Sequence, residues 1–214
     1  MQYECSPKLA PILPSAWDES ILDALGVVPK SLEFVLSRWN AGGADVRGMH
    51  VLGTLAHHPA LAKAFLTFNA HVSGPSSLSM RVRELVVLRA LWLQHCEYEF
   101  VQHLMLAQHA GLTDDDVARL QQGPDAAGWS EEDADLLRSV DELNCDARIS
   151  PSTWARLAKY FNTAQLLDLM FLYGCYATIA VMLNSLEVSL EPGVAPLDPA
   201  VRARLHASQA DSRK

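Results

Sequence analysis

The sequence predicts an all-α protein. Apolar residues recur at helical spacing along most of its length, and no run of four alternating apolar and polar residues stands between turn signals. Segment boundaries also carry helix punctuation: serine, threonine or aspartate before a periodic run, proline at a first turn, glycine at an end. About eight or nine helices follow from this pattern.

Residues 1–16 read as an irregular arm, with prolines at positions 7, 11 and 14. "AWDESILDAL" makes a short helix capped by Asp18 or Ser15. "PKSLEFVLSRW" opens on Pro29 and is stopped by "NAGG". "DVRGMHVLGTLAHHP" and "PALAKAFLTFNAHV" are two further helices divided at Pro59, and "SGPSSLS" is a turn-rich loop supplying serine caps. The long segment 79–110 ends at Gly111, a natural residue for the position after a helix. "TDDDVARLQQG" starts on Thr113 with acids over its first turn, which suits the helix dipole. "SEEDADLLRSVDELNCDA", "SPSTWARLAKYF" and "NTAQLLDLMFLYGCYATIAVMLNSL" complete the set, and the polar stretch 196–214 is expected to fray. A single domain over 17–195 is the expected organisation.

Composition excludes several functions. A net charge of −8 argues against nucleic-acid or anionic-membrane partners. The four cysteines, Cys5, Cys96, Cys145 and Cys175, form no CxxC pair, so a disulfide framework or zinc knot is not expected and a cytoplasmic location is. The N-terminus lacks the basic start and apolar run of a signal peptide. The most apolar helix is interrupted by Asp168 and Gly174 and reads as a core helix rather than a membrane span. Half the residues are hydrophobic and only 20% are charged, which predicts a homo-oligomer that buries a further helix face.

Chemistry concentrates in "RVRELVVLRALWLQHCEYEFVQH", residues 81–103. Cys96, Glu99 and His103 are spaced three and four apart and fall within a sector of about 60° on one helix face. At that spacing Glu99 can orient the His103 ring and raise its pKa. Glu84 lies about 18 Å from Cys96 along an unbroken helix. It can join only if the chain breaks near Gln94–His95 and folds back, which the sequence permits without demanding. His50, His57 and His58 do not have a spacing expected of metal ligands, so no metal is assigned.

The run "RELVVLRALWLQHCEYEFVQHLMLAQHAGLTDDDVARL" resembles the carboxymuconolactone decarboxylase family, which includes alkyl hydroperoxidase D. In that family a glutamate is followed twelve residues later by a cysteine or its substitute, and seven further on by a histidine. Glu84, Cys96 and His103 keep this spacing, and the likeness extends over about residues 20–195. It implies an alkyl hydroperoxidase D-like helical bundle, assembled as a trimer, hexamer or dimer, acting on a small molecule without a cofactor. The hydroperoxidases carry CxxC followed by histidine, whereas the second position here is Glu99. A resolving thiol is therefore missing, which demotes Cys96 as a peroxidase nucleophile. The resemblance implies instead acid–base chemistry of the decarboxylase kind on an organic acid, lactone or carbonyl compound. His103 would be the base or acid, Glu99 its partner or a second acid–base group, and Glu84 a buried relay. Cys96 would be reactive or merely packed, Tyr98 would line the pocket, and one of Arg81, Arg83 and Arg89 would hold a substrate carboxylate. The rivals are a thiol peroxidase or redox protein using Cys96, and a non-catalytic binding protein on the same fold. The acid–base reading expects His103 to open into an apolar pocket.

Overall fold

A computed structural model describes residues 7–43 and 45–211, and in them no strand occurs. Eleven α-helices follow a short 3-10 turn at Pro14–Ala16. They are α1 (Glu19–Leu25), α2 (Pro29–Asn40), α3 (Met49–Leu55), α4 (Pro59–Ser73), α5 (Met80–Leu93) and α6 (Glu97–His109), then α7 (Asp114–Gln122), α8 (Glu131–Asp146), α9 (Pro151–Leu157), α10 (Thr163–Leu186) and α11 (Pro199–Asp211). The count exceeds the expected eight or nine for two reasons. The segment 79–110 is two helices, and the stretch expected to fray contains α11.

The expected caps are largely in place. Asp18 accepts from the Ile21 amide, Ser79 from Val82, Ser130 from Asp133 and Ser150 from Thr153. Thr113 and Asp116 bond reciprocally as a capping box. The "DVRG" residues are not helical, because Gly48 takes φ 80° and α3 starts only after it.

The chain divides into two compact units, Met1–His71 with Met182–Pro196, and Val72–Val181 with Leu197–Lys214. In the first, Trp17, Leu25, Val35, Leu52 and Leu66 form the centre of an apolar core. Residues 1–6 of the expected arm lie outside the described residues; 7–13 are irregular and are fastened there. Ile12 donates its amide to the Gly53 carbonyl at 3.0 Å, and a Cβ on Gly53 would stand 2.5 Å from the Ile12 carbonyl oxygen. Only glycine permits that approach. The Trp17 indole donates to the same Ile12 carbonyl, His57 Nε2 bonds the Ala10 carbonyl, and His58 Nδ1 accepts from the Leu61 amide near the start of α4.

The second unit is built around α5, which packs on α6, α7 and α8. Every residue from Glu84 to Leu91 is buried, so this stretch of α5 has no solvent face and must bury Glu84 and Arg89 as well. Arg89 is satisfied by a two-pronged ion pair with Asp141 and by the Leu120 carbonyl. Among the described residues no buried side-chain nitrogen or oxygen lacks a hydrogen-bond partner. Among the described residues one helix, α10, is long and apolar enough to cross a membrane. Leu166, Leu169, Leu172, Cys175, Tyr176, Ile179, Ala180 and Leu183 are buried along it, so it serves as a core helix.

Candidate active site

The break that the site requires lies at Gln94–Cys96. His95 takes the left-handed conformation, φ 54°. The Cys96 amide donates to the Leu91 carbonyl and the His95 amide to that of Trp92, which together close α5 with a Schellman motif. The His95 ring bonds through Nδ1 to the Leu205 carbonyl of α11 at 2.6 Å. The chain then reverses and α6 packs back along α5. On one continuous helix Glu84 and His103 would stand about 28 Å apart. Here His103 Nδ1 is 2.8 Å from Glu84 Oε2.

Glu99 approaches the other side of the ring, with Oε2 3.7 Å from Nε2. When the ring is neutral and Nδ1–H donates to Glu84, the Nε2 lone pair faces Glu99 across that gap. Tyr176 on α10 meets the imidazole edge-on, ring centroids 4.9 Å apart. The cluster is almost wholly buried: His103 is 6% exposed, Glu84 7% and Glu99 9%. An apolar groove of about 350 Å³ is found elsewhere, lined by Gly26, Pro29, Leu32, Glu33, Leu36 and Ser37.

Burial is the largest influence on His103 and lowers its pKa. The Glu84 hydrogen bond and the charges of Glu84 and Glu99 oppose it, and the balance lies above the ordinary 6.5. Burial dominates at Cys96 as well. The Glu99 amide lowers that thiol's pKa, the Glu99 and Glu97 charges raise it, and the net result is pushed up to about 12. Such a thiol is a poor source of thiolate near neutrality.

Of the residues marked from sequence, Glu84, Glu99 and His103 meet. Cys96 is fully buried at the cap position just before α6. Tyr98 is buried on α6, about 140° around the helix from His103. The three arginines are engaged elsewhere: Arg81 with Asp133, Arg83 with the Gly74 and Leu78 carbonyls, Arg89 with Asp141 and Leu120. Tyr176 lies in the run that reads from sequence as a core helix, and its contact with His103 is the one sequence reasoning misses. Nothing in its spacing links a residue of α10 to one of α6.

Residues 59–142 match the model of the carboxymuconolactone decarboxylase family. No curated protein matches the chain. Among solved structures, a protein of unknown function from Agrobacterium tumefaciens, described as a candidate antioxidant defence protein AhpD, aligns at TM-score 0.59 and 18% identity, covering 67% of this chain and 96% of that one. A Cys-to-Ala variant of the debrominase Bmp8, in complex with 2,3,4-tribromopyrrole, aligns at TM-score 0.68 and 11% identity over 95% of this chain and 98% of its own. An uncharacterized peroxidase-related protein from Ralstonia eutropha JMP134, with an alkylhydroperoxidase AhpD core, aligns at TM-score 0.67 and 14% identity over 92% and 95%. At these identities the likeness establishes an AhpD-like all-helical fold.

Proposed function

We propose that this chain, whose residues 59–142 match the carboxymuconolactone decarboxylase family, is a cofactor-independent acid–base enzyme acting on a small lactone, organic acid or carbonyl compound. One observation carries the reading: a buried imidazole held by Glu84 at Nδ1, with a second carboxylate 3.7 Å from Nε2. Nε2 removes a proton from carbon next to a carbonyl, and the C–H electron pair moves into the enolate. The proton returns from Nε2 to the same or another carbon, so the step is redox-neutral. Glu84 fixes the tautomer and stabilises the imidazolium formed on the way. Glu99 faces the reacting nitrogen and carries or receives the second proton. The departure of CO₂ from an acid substrate would leave the same kind of anion, protonated by the same ring.

The suppressed thiol supports this reading over the peroxidase one. The same proposal has the protein acting as a homo-oligomer in the cytoplasm. It is supported by the exposed apolar side chains Leu167, Phe171 and Val181 on one face of α10 and by Cys96, Cys145 and Cys175, which form no disulfide among the described residues. The test is proton NMR in D₂O on a panel of lactones, enolisable ketones and unsaturated acids, which reads isomerisation, decarboxylation and deuterium uptake together. His103→Gln should lower any turnover by about 10² or more, and Cys96→Ser by much less. Equal losses would bring the thiol into the mechanism. Full activity in His103→Gln would remove the site.

A further inference from the structure

The helix α11 rests on its own unit by a narrow footing. Over 199–207 Leu205 is the one buried residue, and the rest are exposed or half-buried. Its polar attachments gather at the elbow where α5 turns into α6. The His95 ring bonds the Leu205 carbonyl at 2.6 Å, Arg202 Nε donates to Glu97 Oε2 at 2.8 Å, and the same oxygen lies 3.5 Å from His206 Nε2. These three bonds go to the two residues that flank Cys96. A further bond, Arg204 to Gln121 at 3.0 Å, reaches α7. Arg202, Arg204 and His206 are exposed, so water and salt weaken what they hold. A helix fastened by one apolar side chain and solvent-facing polar bonds belongs to the low-stability end of a fold. The α5 stretch from Glu84 to Leu91, buried throughout, belongs to the other end.

Between the two anchored residues, Cys96 is fully buried. Burial is the largest influence on its thiol and suppresses the thiolate, helped by the charges of Glu99 and Glu97. The Glu99 amide, in the first turn of α6, works the other way. Exposure to water removes the largest obstacle and screens the two charges, while the amide stays where it is. We infer that α11 is a releasable strap over the elbow: its opening uncovers Cys96 and makes a masked thiol reactive, without unfolding the α5–α6 pair. The device goes beyond the acid–base reading and does not depend on it.

Iodoacetamide labelling of the native full-length protein tests the strap, with peptide mass spectrometry reading each cysteine. Cys145 is exposed and gives the unhindered rate, and Cys175, buried on α10, reports opening of the unit as a whole. In the wild type Cys96 should label more slowly than Cys145 and at least about tenfold faster than Cys175. Leu205→Ala should speed Cys96 at least about tenfold and leave the other two unchanged. Arg202→Glu, at an exposed position, sets like charges against Glu97 and should speed Cys96 about threefold or more. Cys96 and Cys175 labelling at one common rate in the wild type, or accelerating together in a variant, would make the opening global and overturn the strap. A Cys96 rate unmoved in Leu205→Ala or in Arg202→Glu would overturn it as well.

Discussion

Burial of His103 works against its charge, while the 2.8 Å contact with Glu84 across two helices and the charges of Glu84 and Glu99 work for it. This has a consequence for stability. Because the folded-state pKa is raised above 6.5, the pair contributes fully below the unfolded value and the contribution is lost as pH rises through the folded one. Urea denaturation of wild type and His103→Gln across pH 5.5 to 9 should therefore show a stability difference that is largest at the acid end and shrinks toward the alkaline end. A difference that grows with pH would mean the ring is buried neutral. At this scale the spacing of Glu84, Cys96 and His103 in the sequence was informative, since it is what the family likeness is made of. Tyr176 was not legible, because an edge-on contact between α6 and α10 leaves no mark in either segment.

The element that makes the site is the elbow between α5 and α6. A twelve-residue gap in the sequence shows that some break is needed for Glu84 to take part. It does not reveal that His95, a non-glycine residue, holds the left-handed position. Two substitutions separate backbone from side chain there. His95→Asn and His95→Val both remove the imidazole bond to Leu205, but asparagine tolerates positive φ and a β-branched residue does not. The valine variant should be less stable than the asparagine variant by about 1–2 kcal/mol in chemical denaturation, and should lose the Glu84–His103 contact more readily. Equal stabilities would mean that the elbow does not depend on this conformation. The helix α11 was hidden for a related reason. Its sequence is polar enough to suggest fraying, yet Leu205 is fully buried and Arg202 pairs with Glu97 at 2.8 Å, so its order comes from tertiary contacts.

Across the whole molecule, the all-α class was readable from periodicity and caps, while the division into two units was not. A division of that kind depends on which helices pack together, and local pattern does not encode it. Assembly is the remaining expectation. Leu167, Phe171 and Val181 are 48%, 57% and 59% exposed and lie within a sector of about 80° on α10. Phe171→Asp should shift wild-type oligomers to monomer in sedimentation velocity without changing the helical circular dichroism spectrum. A variant that stays fully assembled would place the interface on another face. The central claim concerns the pair inside. Its most direct measurement is an NMR titration of the His103 ring in wild type and Glu84→Gln. The account predicts a wild-type pKa above 6.5, with Nδ1 carrying the proton in the neutral form, and a lower pKa in the variant. A wild-type value at or below 6.5 that Glu84→Gln leaves unchanged would contradict it.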